Sequence, residues 1–416
     1  MDSEEIMKKD LEYYIQGYTR VPVVLVEGKG TILKNNEGKE FIDCFAGIAV
    51  TNAGHAPERL VRAATEQMSK LIHTSGRFFN IPQTLLAQKL AEITPYDLKH
   101  TYLCNSGTEA VENAVKLVKK YAVSRGKTGA AMIALECAFH GRLGHSLSLT
   151  GQAKYKKGFG TYANAPGVVH APVPYCYRSQ LSEEECGIEA ASRVEEIIDC
   201  HTTGDVAAMI VEPVLGEGGI IVPPNEYFNT LQKILKEREI PFIADEVQSG
   251  FGRTGKMLAC EHWHLTPDVI TMAKGMGGGM PIGAATVTGE IANCVRSGDF
   301  FSTFGGNPVC CAVALENIAM IQDQGFIDNA DKIGKFFMEG LIDLQKKRPI
   351  IGDVRGKGLM IGIELVKDQK SKVPAQDEAK EIVNRMMHAG VLLGLGGFYT
   401  NVLRIQPPLC ITEEQA

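Results

Sequence analysis

Lys274 and Asp245 are the residues of this chain whose types and setting point most directly to chemistry. The stretch from Pro241 to Ala284 reads PFIADEVQSGFGRTGKMLACEHWHLTPDVITMAKGMGGGMPIGA. Phe242-Ile243-Ala244 runs into Asp245, and Val269-Ile270-Thr271-Met272-Ala273 runs into Lys274. Short apolar, β-branched runs bounded by charge and glycine read as buried strands. Each then delivers one ionisable side chain at its carboxyl end, the edge of an open α/β sheet where ligands sit. A strand-end lysine is by itself most often solvated. The small residues around this one, Ala273, Gly275 and Gly277-Gly278-Gly279, favour a desolvated amine that forms a Schiff base with a carbonyl cofactor. Glycine leaves room there for a flat ring, and Asp245 is the partner a protonated pyridine nitrogen needs.

A lysine and an aspartate dividing the work in this way are the mark of pyridoxal phosphate sites. Other residues fit the same reading, each beside a plainer one. Ser106-Gly107-Thr108 follows a strand and opens a helix, where free N–H groups and the positive dipole end attract phosphate. Alone it is more often a simple N-cap. Phe139-His140-Gly141-Arg142 follows another strand, and Phe139 alone reads as core. Glu212 ends the run 207–211, where a carboxylate is often merely solvated. Arg404 lies among apolar residues in Val402-Leu403-Arg404-Ile405 and needs a partner, either a structural carboxylate or a substrate one held by its planar fork. Thr303-Phe304-Gly305-Gly306-Asn307-Pro308 reads as a loop of small residues. His262-Trp263-His264 beside Cys260-Glu261 lacks matching ligands elsewhere, and Cys176, Cys186, Cys200 and His201 have poor zinc spacing, so no metal is expected.

With these residues in hand the chain resembles the class III, fold-type I aminotransferases that use pyridoxal 5′-phosphate (PLP). The motifs ADEVQSGFGRTG, AKGMGGGMPIGA, NSGTEAVENAVKLV, FHGR, EPVLGEGG and TFGGNP stand in that family's order, and the likeness runs from about Pro22 to Thr412. The resemblance implies a large domain with a mainly parallel seven-stranded sheet flanked by helices, plus a small α+β domain. It implies Lys274 and Asp245 as catalytic residues. Ser106, Gly107 and Thr108 would hold the phosphate, Phe139 would stack on the ring with His140 behind it, and Gln248 would reach the phenolic oxygen. Glu212 would orient the ring's neighbours, and Thr303 would bind the phosphate of a neighbouring subunit. That last role implies a homodimer, with a dimer of dimers as a further level it allows. For substrate, Ile48 and Ala49 would line the pocket, and Arg404 would hold an α-carboxylate, with Glu217 pairing it when none is present. Arg142 would grip a distal carboxylate. This set is most similar to 4-aminobutyrate and ω-amino acid aminotransferases acting with a 2-oxo acid such as 2-oxoglutarate by a ping-pong route. The alternatives it leaves are alanine–glyoxylate or pyruvate-type transamination and amino-acid racemisation. Pro174-Tyr175-Cys176-Tyr177-Arg178 falls outside the motifs and argues against a narrow assignment.

Positioning these residues takes alternating strands and helices. The text gives a strand at 102–104, a helix from 105–108 to Val123, strands at 132–136 and 168–171, and helix 187–199 leading to strand 207–211. Helix 226–237 follows, leading to strand 242–244. Such βαβ alternation predicts a parallel sheet with helices on both faces. Residues 1–20 read as a surface helix and 23–45 as strand, turn and strand, an antiparallel piece separate from the main sheet. Helices follow at 57–72 and 82–93. The tail reads as helices 312–323 and 326–347, a turn at Arg355–Gly358, strand 359–366, helix 375–389, and strands 391–393 and 402–405. The expected division is 1–60 (N-terminal segment), 61–316 (large domain) and 317–416 (small domain).

With 416 residues the chain is long enough for two cores. Net charge is −6 with no basic block, which argues against nucleic acid and an anionic membrane surface as partners. No apolar run of membrane-spanning length occurs. The eleven cysteines are odd in number and lack CxxC, so they read as small core residues in a reducing cytoplasm. The start, MDSEEIMKKDLEYY, has neither a signal core nor a transit pattern, again an expectation of the cytoplasm. Thr412-Glu413-Glu414-Gln415 fits a capping box for a helix that Ala416 cuts short, an expectation of a truncated tail.

Overall fold

The computed structural model describes residues 2–416. Three strands come first: β1 (Leu25–Lys29), β2 (Ile32–Asn35) and β3 (Glu40–Cys44). Seven follow: β4 (Leu98–Cys104), β5 (Ala131–Leu135), β6 (Val168–Ala171), β7 (Val206–Val211), β8 (Phe242–Asp245), β9 (Val269–Met272) and β10 (Gly283–Thr288). The last four are β11 (Ile351–Lys357), β12 (Met360–Leu365), β13 (Val391–Gly396) and β14 (Val402–Ile405). The middle seven make a central sheet in the order β4-β10-β9-β8-β7-β5-β6. The others make a terminal sheet in the order β1-β2-β3-β13-β14-β12-β11, joined by the parallel pairing of β3 with β13.

In the central sheet β9, β8, β7, β5 and β6 are parallel, while β10 runs antiparallel to both β9 and β4. Every residue of β5, β7, β8 and β9 is buried, as helices on both faces require. The pleat sorts the side chains. Met132 and Ala134 join Val111, Val115, Val118 and Ile243 in one core, under helix Gly107–Ser124. Ile133 and Leu135 point the other way and pack with Val194, Ile198, Phe228 and Leu231 of helices Glu183–His201 and Asn225–Glu237. Each such fully buried aliphatic stabilises the fold by roughly 1.5–3 kcal/mol.

The structure corrects the sequence reading at three places. β10 was not expected as a strand. β9 ends at Met272, and Lys274 lies beyond it on a single 3-10 turn, Lys274–Met276, with φ +46°. Arg355 and Lys357 belong to β11; the turn itself is carried by Gly358, at φ +52°. At the tail, Thr412 and Gln415 do form the reciprocal pair of a capping box, N–H to side chain in both directions at 3.1 and 3.2 Å. No described helix is long and apolar enough to cross a membrane.

Candidate active site

The strand order brings the carboxyl ends of β8 and β9 side by side. Their register pairs Asp245 with Thr271, so the Thr271 hydroxyl donates to Asp245 Oδ1 at 2.9 Å. The Val247 amide donates to the same oxygen at 3.1 Å. The other oxygen, Oδ2, lies 2.7 Å from His140 Nδ1. A carboxylate only accepts, so Nδ1 carries the hydrogen, and Nε2 of this buried ring has no protein partner among the described residues. Asp245 is thereby held by three donors at the foot of a cavity.

That cavity has a volume of about 370 Å³. It is bordered by Ser106, Gly107 and Thr108, by Phe139, His140 and Glu212, and by Asp245, Gln248 and Lys274. Val50 also borders it, whereas its neighbour Ala49, expected as a wall, does not. Ser106 caps helix Gly107–Ser124 through its hydroxyl, which accepts from the Glu109 amide at 3.2 Å. The amides of Gly107 and Thr108 precede any intrahelical acceptor, leaving donors at the positive end of the dipole. A Cβ on Gly107 would fall 2.7 Å from Val247 Cγ1, so only glycine fits between helix and loop. A flat ring carrying an anionic phosphate and a protonated nitrogen matches this donor set and this acid.

Electrostatics divide the ionisable groups. Burial lowers the pKa of the Lys274 amine, against the opposing pull of Glu217, Glu212 and Asp245. Burial pushes Glu212 up to about 7 even though the amides of Phe139 (2.8 Å) and Gly216 (2.9 Å) donate to it. Glu212 therefore ties the backbone of Phe139 to the loop that carries Glu217. For Glu217 burial also acts upwards, but Arg404, Lys274 and Lys154 outweigh it and hold the carboxyl below its usual range. Arg404, 3% exposed, forms an ion pair with Glu217, and its Nε has no partner among the described residues.

The predicted residues do not all meet. Ser106, Gly107, Thr108, Phe139, His140, Glu212, Asp245, Gln248 and Lys274 share the cavity, and Glu217 and Arg404 act on Lys274 by charge. Ile48 does not border it and is 36% exposed. Arg142 stands exposed at the rim, its guanidinium carbon 4.4 Å from the Tyr155 ring centroid, and Tyr155 meets Phe139 edge-on at 5.3 Å. Thr303 lies in a separate small crevice with His73, Thr74 and Ser75. His262 is used up on the Thr254 carbonyl at 3.0 Å. Sequence reasoning missed Thr271, Gln406, whose amide donates to Gln248 Oε1 at 3.0 Å, and Tyr155. A lone polar β-branched residue in an apolar strand was the available signal for Thr271. Nothing local marked Gln406 or Tyr155.

An open sheet with an amine-bearing turn at its carboxyl edge, an anion cradle and a buried acid defines a cofactor-dependent group-transfer enzyme. The class III aminotransferase family model matches residues 13–416. The chain is 39% identical to the acetylornithine aminotransferase of Methanocaldococcus jannaschii over 416 residues, covering 100% of this chain and 96% of that one. It is equally 39% identical to the 4-aminobutyrate aminotransferase of Mycobacterium tuberculosis over 406 residues, 95% of this chain and 88% of the relative. Among solved structures it superposes on the omega transaminase from Pseudomonas jessenii in complex with PMP, with a TM-score of 0.93, 30% identity and coverage of 98% and 94%. The chain belongs to the class III aminotransferases. It is a PLP-dependent enzyme of fold type I that moves an amino group between amino and oxo substrates.

Proposed function

We propose that this enzyme transaminates an ω-amino acid of the 4-aminobutyrate type with a 2-oxo acid such as 2-oxoglutarate, in ping-pong order. The observation that carries the reading is the Arg404–Glu217 ion pair beside Lys274. A buried arginine that already has a carboxylate accepts two classes of substrate. A donor lacking an α-carboxylate leaves the pair closed, and a 2-oxo acid takes the place of Glu217 on the guanidinium fork. Arg142 at the rim then receives the distal carboxylate.

In this reading Ser106, Gly107, Thr108 and, from a neighbouring subunit, Thr303 hold the cofactor phosphate. Phe139 covers the ring, Asp245 faces its nitrogen and Gln248 its phenolic oxygen. When bound, PLP supplies the electron sink for the amine-bearing carbon. Lys274, whose lowered pKa favours the neutral amine, would take the proton from that carbon and pass it to the cofactor's own carbon in the same half-reaction, and would move a proton the opposite way for the 2-oxo acid in the second. His140 and Thr271 fix the carboxylate of Asp245, and Glu212 fixes Phe139.

A second reading, alanine with glyoxylate or pyruvate, is favoured by one observation: Arg142 leans on Tyr155 outside the cavity. A donor panel on purified holoenzyme against 2-oxoglutarate, pyruvate and glyoxylate separates the two. The proposal expects 4-aminobutyrate to exceed alanine; alanine used to the exclusion of ω-amino acids overturns it. Loss of optical activity of a single enantiomer without any oxo acid assigns a racemase instead.

The proposal extends to assembly, location and domains. A homodimer is supported by the exposed Phe301 and Phe304 beside Thr303 in the chain, and by the exposed Phe78 and Phe79 that line one groove with Phe301. A cytoplasmic location is supported by eleven free cysteines. The grouping of the N-terminal segment with the small domain is supported by the joining of β3 and β13 in one sheet, although boundaries at 60 and 316 fall inside helices Glu58–Lys70 and Pro308–Asp323.

A further inference from the structure

Behind the loop that carries Glu217 lies a buried charge cluster that the reading above does not use. Arg355 of β11 and Glu364 of β12 meet diagonally in the terminal sheet, whose register pairs Glu364 with Asp353. Tyr175 and Arg178 reach them from the segment that fell outside the family motifs. Glu364 is fully buried; its Oε1 accepts from Arg178 Nε at 2.8 Å, and its Oε2 accepts from the Tyr175 hydroxyl and from Arg355 Nη1 at 2.8 Å. Arg355 Nη1 also donates to Asp353 at 2.6 Å. Two cations thus balance two carboxylates, and one edge of the Arg355 guanidinium is satisfied.

The other edge points at backbone. Nε donates to the carbonyls of Gly219 and Ile220, both at 3.1 Å, and Nη2 donates to Gly219 at 2.7 Å and to the Tyr175 hydroxyl oxygen at 2.9 Å. These carbonyls belong to a strained turn. Gly219 has φ +119° and Ile220 φ +53°, a region that a β-branched residue rarely enters unless its surroundings enforce it. The turn begins with Gly216 and Glu217, and the Gly216 amide is already fixed by Glu212. Arg355 therefore clamps the far side of the loop whose near side carries the partner of Arg404.

We infer that Arg355 is a positioning residue: by gripping the Gly219 and Ile220 carbonyls it fixes the backbone from which Glu217 reaches Arg404, and so sets how well the site accepts donors without an α-carboxylate. This rests on the reading of Arg404 and Glu217 proposed above. Loosening the turn leaves Arg404 a buried cation without its acid, which favours carboxylate-bearing substrates over the rest.

The test is Arg355→Lys in the holoenzyme. It keeps the charge opposite Asp353 and Glu364, but a single amine cannot serve two carbonyls and three side-chain partners in the same geometry. The readout is the ratio of kcat/KM for a donor lacking an α-carboxylate to that for glutamate. The ratio falls about tenfold in Glu217→Gln and in Arg355→Lys, and no further in the double variant, as expected of residues acting through one contact. Amide hydrogen exchange supplies a second readout: residues 216–221 exchange faster in Arg355→Lys while helix Gly107–Ser124 keeps its protection. Tyr175→Phe, which removes one hydrogen bond to Arg355 and one to Glu364, moves both readouts the same way by less and carries the test should the lysine variant not fold. Additive losses, an unchanged loop, or faster exchange across the whole chain overturn the inference. A ratio unmoved by Glu217→Gln shows instead that the substrate reading fails. A ratio moved by Glu217→Gln but not by Arg355→Lys shows that Arg355 fails.

Discussion

Lys274 sits at φ +46°, where a residue with a Cβ is held at a cost of roughly 1–3 kcal/mol. Neighbouring packing maintains it: Gly275 leaves no room for a Cβ, since one would meet Asn52 Nδ2 at 2.5 Å. Lys274→Ala keeps the same backbone requirement and removes only the amine. Its expected outcome is a folded protein with no measurable turnover, to which borohydride no longer fixes the cofactor; retained full activity rules out the proposed proton carrier. Glu212 gives a prediction in pH. Its carboxyl is raised from 4.5 to about 7 in the folded chain, so between those values the folded state holds a proton that the unfolded state has lost. Stability contributed by that proton is present below the unfolded value and is lost as pH rises through about 7, a change of about 3 kcal/mol at most. Glu212→Gln does not titrate. Relative to wild type, the variant gains about 2–3 kcal/mol in urea unfolding between about pH 4 and about pH 8, whatever constant offset the lost acceptor brings. A pH-independent difference means that Glu212 titrates alike in both states.

At the scale of elements, the adjacency of β8 and β9 makes Thr271 the second support of Asp245. Thr271→Val keeps the β-branched shape that suits a buried strand and deletes one hydrogen bond to a charged acceptor, about 1.5 kcal/mol. The expected result is a Tm near wild type with kcat/KM down by about tenfold, restored by Thr271→Ser; an unaffected kcat/KM removes Thr271 from the support of Asp245. The same elements show what was legible beforehand. β5, β7, β8 and β9 announce themselves because strands buried on both faces are continuous apolar runs. β10 opens on small residues, only Met280-Pro281-Ile282 parting it from a glycine run, although Thr286, Val287 and Thr288 carry a strand signal. The Lys274 turn has no periodicity to read, since a single positive φ at a lysine is imposed by tertiary contacts. The cradle from Ser106 to Thr108 was legible because one local turn builds it. The supports from Gln406, Tyr155 and Arg355 come from distant parts of the chain, and only the closed fold brings them to the site.

For the molecule as a whole, Thr303 poses the sharpest question. It lies outside the Lys274 cavity of its own chain, in a crevice with His73, Thr74 and Ser75, and Phe301 and Phe304 on either side are 61% and 63% exposed. Phe78 and Ile81 add to the uncovered apolar surface. A two-fold pairing that buries such surface is isologous, so whatever one chain lends to its partner it receives in return. Mixing two defective proteins tests whether Thr303 is lent. Lys274→Ala lacks the amine in its own cavity, and Thr303→Glu places a negative charge against the phosphate it is proposed to hold. In a mixed dimer, the site with intact Lys274 lies in the Thr303→Glu chain and receives its threonine from the Lys274→Ala chain. One of the two sites is then complete. Random reassortment makes half of the dimers mixed, so activity recovers to about one quarter of wild type after equimolar mixing under exchange conditions. If Thr303 served its own chain, every site in the mixture would lack either the lysine or the threonine, and mixing would restore nothing.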